Sequence, residues 1–224
     1  MIAVSLISAV AVPIPMRLSS RFIPLKLSPR GRGGVVLTNS DELAARVRRM
    51  RSHGVSRRPD FLYEHDGPWY YEMDELSFNC RMTDFQCALG LSQLKKLDSF
   101  KERREAIFDA YHRAFSTSDK LILPPNPSNQ SVCHHLYTLQ FTEGAKTRNL
   151  VFDILKSFKI HCQVHYIPIY HQPYYKQLYN YPFERFYNSE IYYSRCLTLP
   201  MYPGLDESVV QFVIDVILTV VNQR

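Results

Sequence analysis

Apolar and polar residues alternate along this chain in stretches that read first as a strand and a helix, then as a run of helices, and then as a mixed strand-and-helix end. Gly33–Asn39 reads as a turn and a short strand. Asn39 caps the helix that follows, Glu42 takes the capping-box position, and Leu43, Val47 and Met50 line one face. The stretch Phe78–Leu94 organises the rest. Thr83 is an N-cap, Gln86 completes a capping box three residues on, and Phe85, Ala88, Leu89, Leu91, Gln93 and Leu94 put most apolar groups on one broad stripe. Asp98–Phe115 continues as a charged helix with Ile107, Ala110, Tyr111 and Ala114 on one side. The proline-rich run Leu123–Asn129 is a break, and a subdomain boundary is expected between Phe115 and Ser131. Beyond it His135–Phe141 alternates like a strand, Thr147–Phe158 reads as a helix and Ile160–Tyr166 as a strand. Asp206 caps a last helix over Val209–Val221. Strand–helix–strand followed by helices predicts an α/β chain without internal repeats.

Length changes this picture little: 224 residues suffice for one large domain or two small ones. The net charge of +6 arises from Lys and Arg interleaved with Asp and Glu, which marks solvated helix faces rather than a nucleic-acid patch. The exception is the group Arg46, Arg48, Arg49, Arg51, Arg57 and Arg58, the sole basis for a nucleic-acid-binding reading. The five cysteines are scattered and form no C-x-x-C pair, which argues against a disulfide framework or a zinc site and fits a reducing cytosol. No apolar run reaches the length of a membrane span. Val55–Leu76 is rich in Arg, Pro and aromatics and reads as an ordered loop; Trp69, Tyr70 and Tyr71 in it either form a partner surface or cover the core.

Three places can carry chemistry. Asn79 and Arg81 stand just before the Thr83 cap, where Arg81 can fork onto a phosphate or carboxylate, or else is a surface Arg beside a turn Asn. His165 and Tyr166 can hydrogen-bond hydroxyls or phosphate, and Tyr174 can stack on a base or sugar face; a satisfied packing pair is the plainer reading of His-Tyr at a strand end. His165 and His171 are not a metal pair, because Pro168 and the extended pattern between them spoil convergence, and no metal is expected.

The segment FNCRMTDFQCALGLSQLKKLD resembles the FNYRMTDIQAALGLxQLxxLD segment of the DegT/DnrJ/EryC1/StrS sugar aminotransferases, a long and nearly gapless match. GGVVLTN…ELAARVRRMRSHG, WYYEM and VHYIPIYHQPYY resemble further segments of that family. The resemblance covers roughly residues 33–224 and implies an α/β fold: a remnant of the fold-type I large domain of pyridoxal phosphate (PLP) enzymes over 33–116, carrying a dimer-interface segment, and a small C-terminal α/β domain over 117–224. It further implies PLP as cofactor, a cytoplasmic homodimer with two shared half-sites, Asn79 and Arg81 reaching the partner's PLP phosphate or substrate, and His165, Tyr166 and Tyr174 facing the nucleotide-sugar. SHG, GLSQLKKLD, VHYIPIYHQPYY and CLTLPMYPGLDE look closest to the pseudaminic-acid branch, which aminates C4 of a UDP-4-keto-6-deoxy-N-acetyl-hexosamine with glutamate as donor.

Before residue 33 the resemblance fails as translated. The family reads Phe-His-Pro-Val-Lys around its PLP-binding lysine; this chain reads Phe22-Ile23-Pro24-Leu25-Lys26, with Lys26 at the lysine position. Codons for the family segment, read one base late, spell Phe-Ile-Pro-Leu-Lys-Leu-Ser-Pro-Arg-Gly-Arg-Gly, which is residues 22–33. Residues 1–32 are therefore expected to be a shifted-frame segment, recovered in a guanine-rich run near Gly31–Gly34, and the apolar start MIAVSLISAVAVPIPM a translation accident rather than a signal peptide or a buried strand. Lys26 is the one candidate Schiff-base lysine by position. The glycine turn for the phosphate, the stacking aromatic and the aspartate that pairs with the pyridinium nitrogen cannot be located, and without that carboxylate PLP is a poor electron sink. The expected activity is thus a truncated and impaired aminotransferase, and its rival a non-catalytic dimerisation or nucleotide-sugar-binding remnant.

Overall fold

A computed structural model describes residues 3–7, 21–28, 31–126, 132–179 and 183–223. They fall into two compact units, divided between Lys96 and Leu97.

The first unit opens with three strands, β1 (Ala3–Ile7), β2 (Arg21–Ser28) and β3 (Gly31–Thr38). β3 lies in the middle and pairs antiparallel with both. Most of the apolar opening stretch, residues 8–16 included, lies outside the described residues. Helix α1 (Asp41–Met50) follows, and its cap differs from the expected one. Ser40 rather than Asn39 accepts the Leu43 N–H at 3.2 Å, while the Ser40 N–H itself donates to Thr38 Oγ1 at 3.0 Å. Serine and asparagine cap equally well, so which one serves depends on where the strand ends. Asp41 and Glu42 occupy the first turn and Arg48 and Arg49 the last, each sign at the end of the helix dipole that favours it. Ala44 and Val47 are the buried face.

The chain then reverses sharply. His53 and Gly54 both take positive φ, 63° and 69°. A Cβ at position 54 would collide with the Glu75 carbonyl, so glycine is required there by space as well as by backbone conformation. The reversal lets residues 51–53 run beside 78–80: Cys80 N–H donates to Arg51 O at 2.9 Å and His53 N–H to Phe78 O at 3.1 Å, with Ser52 and Asn79 bridged. The aromatic-rich stretch expected as a loop contains a two-residue ladder, β4 (Val55–Ser56) with β5 (Glu72–Met73). Trp69 in it is 71% exposed, so it does not cover the core. Helix α2 (Asp84–Leu94) carries the predicted capping box: Gln86 N–H donates to Thr83 Oγ1 at 3.3 Å and Thr83 N–H to Gln86 Oε1 at 2.9 Å. Of its residues only Gly90 is buried, and Phe85 is 79% exposed, so the apolar stripe read from the sequence faces outward.

The second unit begins with α3 (Leu97–Phe115). The sheet has order β6 (Leu121–Ile122), β7 (Tyr137–Phe141), β8 (Cys196–Leu199), all antiparallel. The alternation in Tyr137–Phe141 is realised, with Tyr137, Leu139 and Phe141 buried. Helices α4 (Ala145–Ser157), α5 (Pro173–Leu178), α6 (Tyr187–Arg195) and α7 (Glu207–Asn222) complete the unit. Ile160–Tyr166, expected as a strand, contributes only one bridge, Gln163 with Thr198 of the edge strand β8. Asp206 sits at the N-cap position of α7 but makes no side-chain capping bond.

Aromatic rings set the density of this core. Phe108, Tyr111 and Phe115 of α3 surround Tyr137, with ring centroids 5.0, 5.1 and 6.2 Å away. α7 adds Val213, Ile214, Ile217 and Val221 at helical spacing. Polar ties close the edges: Arg104 Nη1 donates to Met201 O at 2.9 Å, Arg103 Nη2 to Leu205 O at 2.7 Å, and Lys120 Nζ to the α7 carbonyl of Val221 at 2.9 Å. All five cysteines are free. Burial pushes the Cys162 thiol up to about 12, so it stays protonated and unreactive at neutral pH.

Two outcomes follow from this packing. In native-state alkylation followed by mass spectrometry, exposed Cys133 reacts first, whereas Cys80, Cys162 and Cys196 react only as denaturant unfolds the chain; fast labelling of Cys162 in the native state would contradict the core described here. Gly54→Ala is expected to destabilise the first unit by at least about 1–3 kcal/mol in urea unfolding, through the positive φ and the collision with Glu75, and a neutral result would show that the 51–54 reversal is wrongly drawn.

Candidate functional site

Within the first unit the pairing of 51–53 with 78–80 brings Arg81 beside the C-terminal turn of α1 and the arginines that follow β4. A cavity of about 620 Å³ opens there, walled by Arg48, Arg49, Arg57, Arg58 and Arg81 with His53 and Tyr71 among the remaining lining residues, and no carboxylate contributes to its wall. The nearby acids are held elsewhere. Glu75 takes Arg46 at 2.9 Å and Arg49 at 3.3 Å, Asp74 lies 3.5 Å from Arg49, and Asp60 takes Arg58 at 3.3 Å. Glu72 accepts the N–H groups of Tyr63 and Glu64 at 2.7 and 2.9 Å and the Tyr70 hydroxyl at 2.9 Å; these bonds, the Tyr63 N–H first, hold its carboxyl below the usual carboxylate range. Arg48, Arg57 and Arg81 pair with no carboxylate among the described residues. The Arg57 guanidinium lies 5.5 Å over the Tyr71 ring, which holds it by cation–π attraction without neutralising it. Such an arrangement attracts phosphate or carboxylate.

Of the predicted residues, Asn79 and Arg81 are both exposed at this place. Asn79 Oδ1 accepts the Arg81 N–H at 3.2 Å, an Asx turn that leaves the Asn79 amide hydrogens outward. Lys26 lies on β2 opposite Arg32 of β3, next to an irregularity in the strand pairing; its side chain lies outside the described part of the structure.

In the second unit Thr198 of β8 is a hub. Its hydroxyl meets Thr138 Oγ1 at 2.8 Å and His165 Nδ1 at 2.9 Å, and its backbone exchanges two bonds with Gln163, at 2.7 and 3.1 Å. His165 is thereby half-buried and fixed, while Tyr166, joined to it by a cis peptide, is 71% exposed and lines a second cavity of about 620 Å³ with Ile167, Ile169, Tyr170, Phe186 and Tyr192. Tyr170 stacks on Phe186 at 4.4 Å, and desolvation together with the Glu190 carboxylate pushes its hydroxyl up to about 12. His171 Nε2 meets Glu190 at 2.6 Å and ties the segment before α5 to α6. Tyr174, 66% exposed on α5, stands edge-on to Tyr175 and outside the wall of this cavity. A flat aromatic wall beside a fixed imidazole suits a sugar or base face.

The residues present fit PLP in part. Three arginines without carboxylate partners and the Asn79 amide suit its phosphate. The pyridinium needs a carboxylate, and the carboxylates Asp60, Glu72, Asp74 and Glu75 are already engaged away from the arginine cavity. None of these four carboxylates is left free for the ring end of the cofactor. Sequence reading named Arg48 and Arg57 only as members of a basic group and Tyr71 only as a loop aromatic, because spacing along the chain does not show that they converge on one wall. It missed Tyr170, Phe186 and Tyr192 because nothing distinguishes them among fifteen tyrosines and thirteen phenylalanines. Among the described residues no His, Cys, Asp and Glu cluster is placed to hold a metal, and no helix is long and apolar enough to cross a membrane.

Comparison with known proteins gives these two sites a setting. The chain is 36% identical over 204 residues to the spore coat polysaccharide biosynthesis protein SpsC of Bacillus subtilis, covering 90% of this chain and 52% of that protein. It is 30% identical over 203 residues to a UDP-4-amino-4,6-dideoxy-N-acetyl-beta-L-altrosamine transaminase of Campylobacter jejuni, covering 90% and 51%. Its fold matches Helicobacter pylori PseC, an aminotransferase involved in pseudoaminic acid biosynthesis, with a TM-score of 0.70 and 29% identity over 86% of this chain and 49% of that one. The chain thus spans about half the length of the curated relatives it matches, and over that half its fold is that of the fold-type I PLP-dependent aminotransferases. The sequence model of the DegT/DnrJ/EryC1/StrS aminotransferase family matches residues 19–218, a span that includes Lys26 and every other candidate residue, and the chain belongs to that family.

Proposed function

We propose that this chain is the C-terminal portion of a PLP-dependent nucleotide-sugar aminotransferase that moves an amino group from glutamate to C4 of a UDP-4-keto-6-deoxy-N-acetyl-hexosamine, in pseudaminic acid or other surface-glycan biosynthesis. Family membership and the Campylobacter and Helicobacter relatives support the sugar-aminotransferase part of this reading. The observation that carries the substrate class is the aromatic cavity of the second unit beside the fixed His165, whose flat walls suit a sugar or base face. In this reading residues 33–116 are the remnant of the large domain and 117–224 the small domain, and the protein is a cytoplasmic homodimer in which Asn79 and Arg81 serve the partner's cofactor phosphate. His165 holds Tyr166 at the sugar or base, and Tyr174 contacts the same substrate. Lys26 takes the lysine position. The engaged carboxylates favour impairment of the chain as translated, and they equally favour the second reading, a nucleotide-sugar-binding remnant without catalysis.

A chimera separates the parts. The upstream half of the Campylobacter transaminase joined to residue 33 of this chain is expected to aminate the UDP-4-keto sugar with glutamate, followed by mass spectrometry, and to lose most of its turnover on Arg81→Ala. A chimera that folds, binds PLP and yet aminates no UDP-4-keto-hexosamine would sink the substrate assignment. For the chain alone, PLP titration with borohydride trapping is expected to label scattered lysines. A visible band trapped on Lys26 and lost in Lys26→Ala would overturn the impaired reading and restore the chain as an enzyme in its own right.

A further inference from the structure

We infer that Thr138 and Thr198 are positioning residues that hold His165 as its Nε2–H tautomer, so that the imidazole offers a hydrogen-bond donor and takes an acceptor oxygen of a ligand rather than an ammonium group. The ligand half of this inference rests on the nucleotide-sugar reading above. The tautomer half rests on the second unit alone.

The three side chains form one line. Thr138 Oγ1 lies 2.8 Å from Thr198 Oγ1, which in turn lies 2.9 Å from His165 Nδ1. Sheet register sets these distances. Thr138 and Thr198 are cross-strand partners of β7 and β8, and Gln163, two residues before His165, pairs with Thr198 through its backbone. A threonine hydroxyl has one hydrogen to give, so the line runs one way or the other. Either each hydroxyl donates toward the ring and Nδ1 accepts, or an Nδ1–H donates and each hydroxyl passes its hydrogen away from the ring.

The far end of the line decides between them. There the Tyr192 hydroxyl bonds to Thr138, and burial above all pushes that hydroxyl up, so it keeps its proton. A phenol is more acidic than an alcohol and is therefore the better donor and the poorer acceptor. Its hydrogen goes to Thr138, that of Thr138 to Thr198, and that of Thr198 to Nδ1. The surroundings of the ring agree. A carboxylate at Nδ1 would demand an N–H there, and among the described residues no carboxylate stands within ion-pair distance of His165. With Nδ1 an acceptor inside the sheet, the neutral ring carries its hydrogen on Nε2, which makes no hydrogen bond among the described residues. The ring stands edge-on to Tyr166 with centroids 4.5 Å apart, and Tyr166 lines the aromatic cavity. An N–H at that place binds a hydroxyl, carbonyl or phosphoryl oxygen and offers nothing to an ammonium.

Long-range ¹H–¹⁵N correlation NMR of the full chain, labelled at histidine and held in alkaline buffer, reads the tautomer; loss of one signal set in His165→Gln identifies His165. The expected pattern is a protonated Nε2 and an unprotonated, hydrogen-bonded Nδ1. Thr198→Val keeps the shape of the strand residue but removes the donor, and is expected to move the Nδ1 shift toward that of solvent-exposed histidines. Thr198→Ser restores it, and Thr138→Val gives a partial change in the same direction. A protonated Nδ1, or a wild-type pattern that survives Thr198→Val in a folded chain, would overturn the tautomer assignment. Calorimetry with UDP-N-acetylglucosamine tests the ligand half. A glutamine amide reaches the place of Nε2, whereas an asparagine amide reaches only that of Nδ1. His165→Gln is therefore expected to keep the affinity within about threefold, and His165→Asn to lose about tenfold. Equal losses would overturn the donor role. If the chain takes up no UDP-N-acetylglucosamine, the ligand half falls together with the nucleotide-sugar reading, while the tautomer, read without any ligand, stands or falls by itself.

Discussion

The pairing of residues 51–53 with 78–80 is the constraint on which the first unit's chemistry depends. Two backbone hydrogen bonds, which together form the Ser52–Asn79 bridge, join the end of α1 to the entry of α2, and the positive φ of His53 and Gly54 makes that approach feasible. Buried or half-buried backbone groups rarely go without partners, so the pairing answers a requirement of both segments at once. Everything at the arginine cavity is a consequence. The Glu75 carboxylate reaches back to Arg46 and Arg49, Arg81 comes to rest against α1, and cations far apart in sequence are left facing one volume.

The second unit relies on a different device. Its core is built from aromatic rings around Tyr137 and from the apolar face of α7, and these suffice to hold the three-stranded sheet. Thr198, on the central run of β8, then links packing to chemistry. The same hydroxyl that bonds across the sheet to Thr138 also fixes His165, so the imidazole is set by the core rather than by a loop. Tyr166, one residue further on, is left exposed at the aromatic cavity. Rigid support behind and an accessible ring in front is an arrangement that recognises a ligand face at small entropic cost.

α2 is held by local interactions rather than by burial. A helix whose only buried residue is Gly90 gains little from packing and rests on its capping box and its intrinsic propensity. Phe78, Phe85, Leu91 and Leu94 are exposed along this stretch.

Periodicity alone located most of the helices, the β7 strand and the Thr83–Gln86 box, because those features are local: a helical stripe or a cap needs only neighbours three or four residues away. The family, too, was legible in short motifs such as the segment from Phe78 to Asp98, since these are strings of residues and not shapes. Three things were decided only by tertiary structure. Ile160–Tyr166 has strand-like alternation, yet it makes a single bridge to β8, because alternation states which side chains share a face and not whether the backbone finds a partner. The α2 stripe reads as core, yet it faces outward, because amphipathicity states which side is apolar and not whether anything covers it. Arg48 and Arg57 read in order as members of one basic group, and Arg81 as a separate anion contact before a helix cap. They become one site because a glycine reversal and two backbone hydrogen bonds fold their segments together, and charge acts through distance in space, not through separation along the chain.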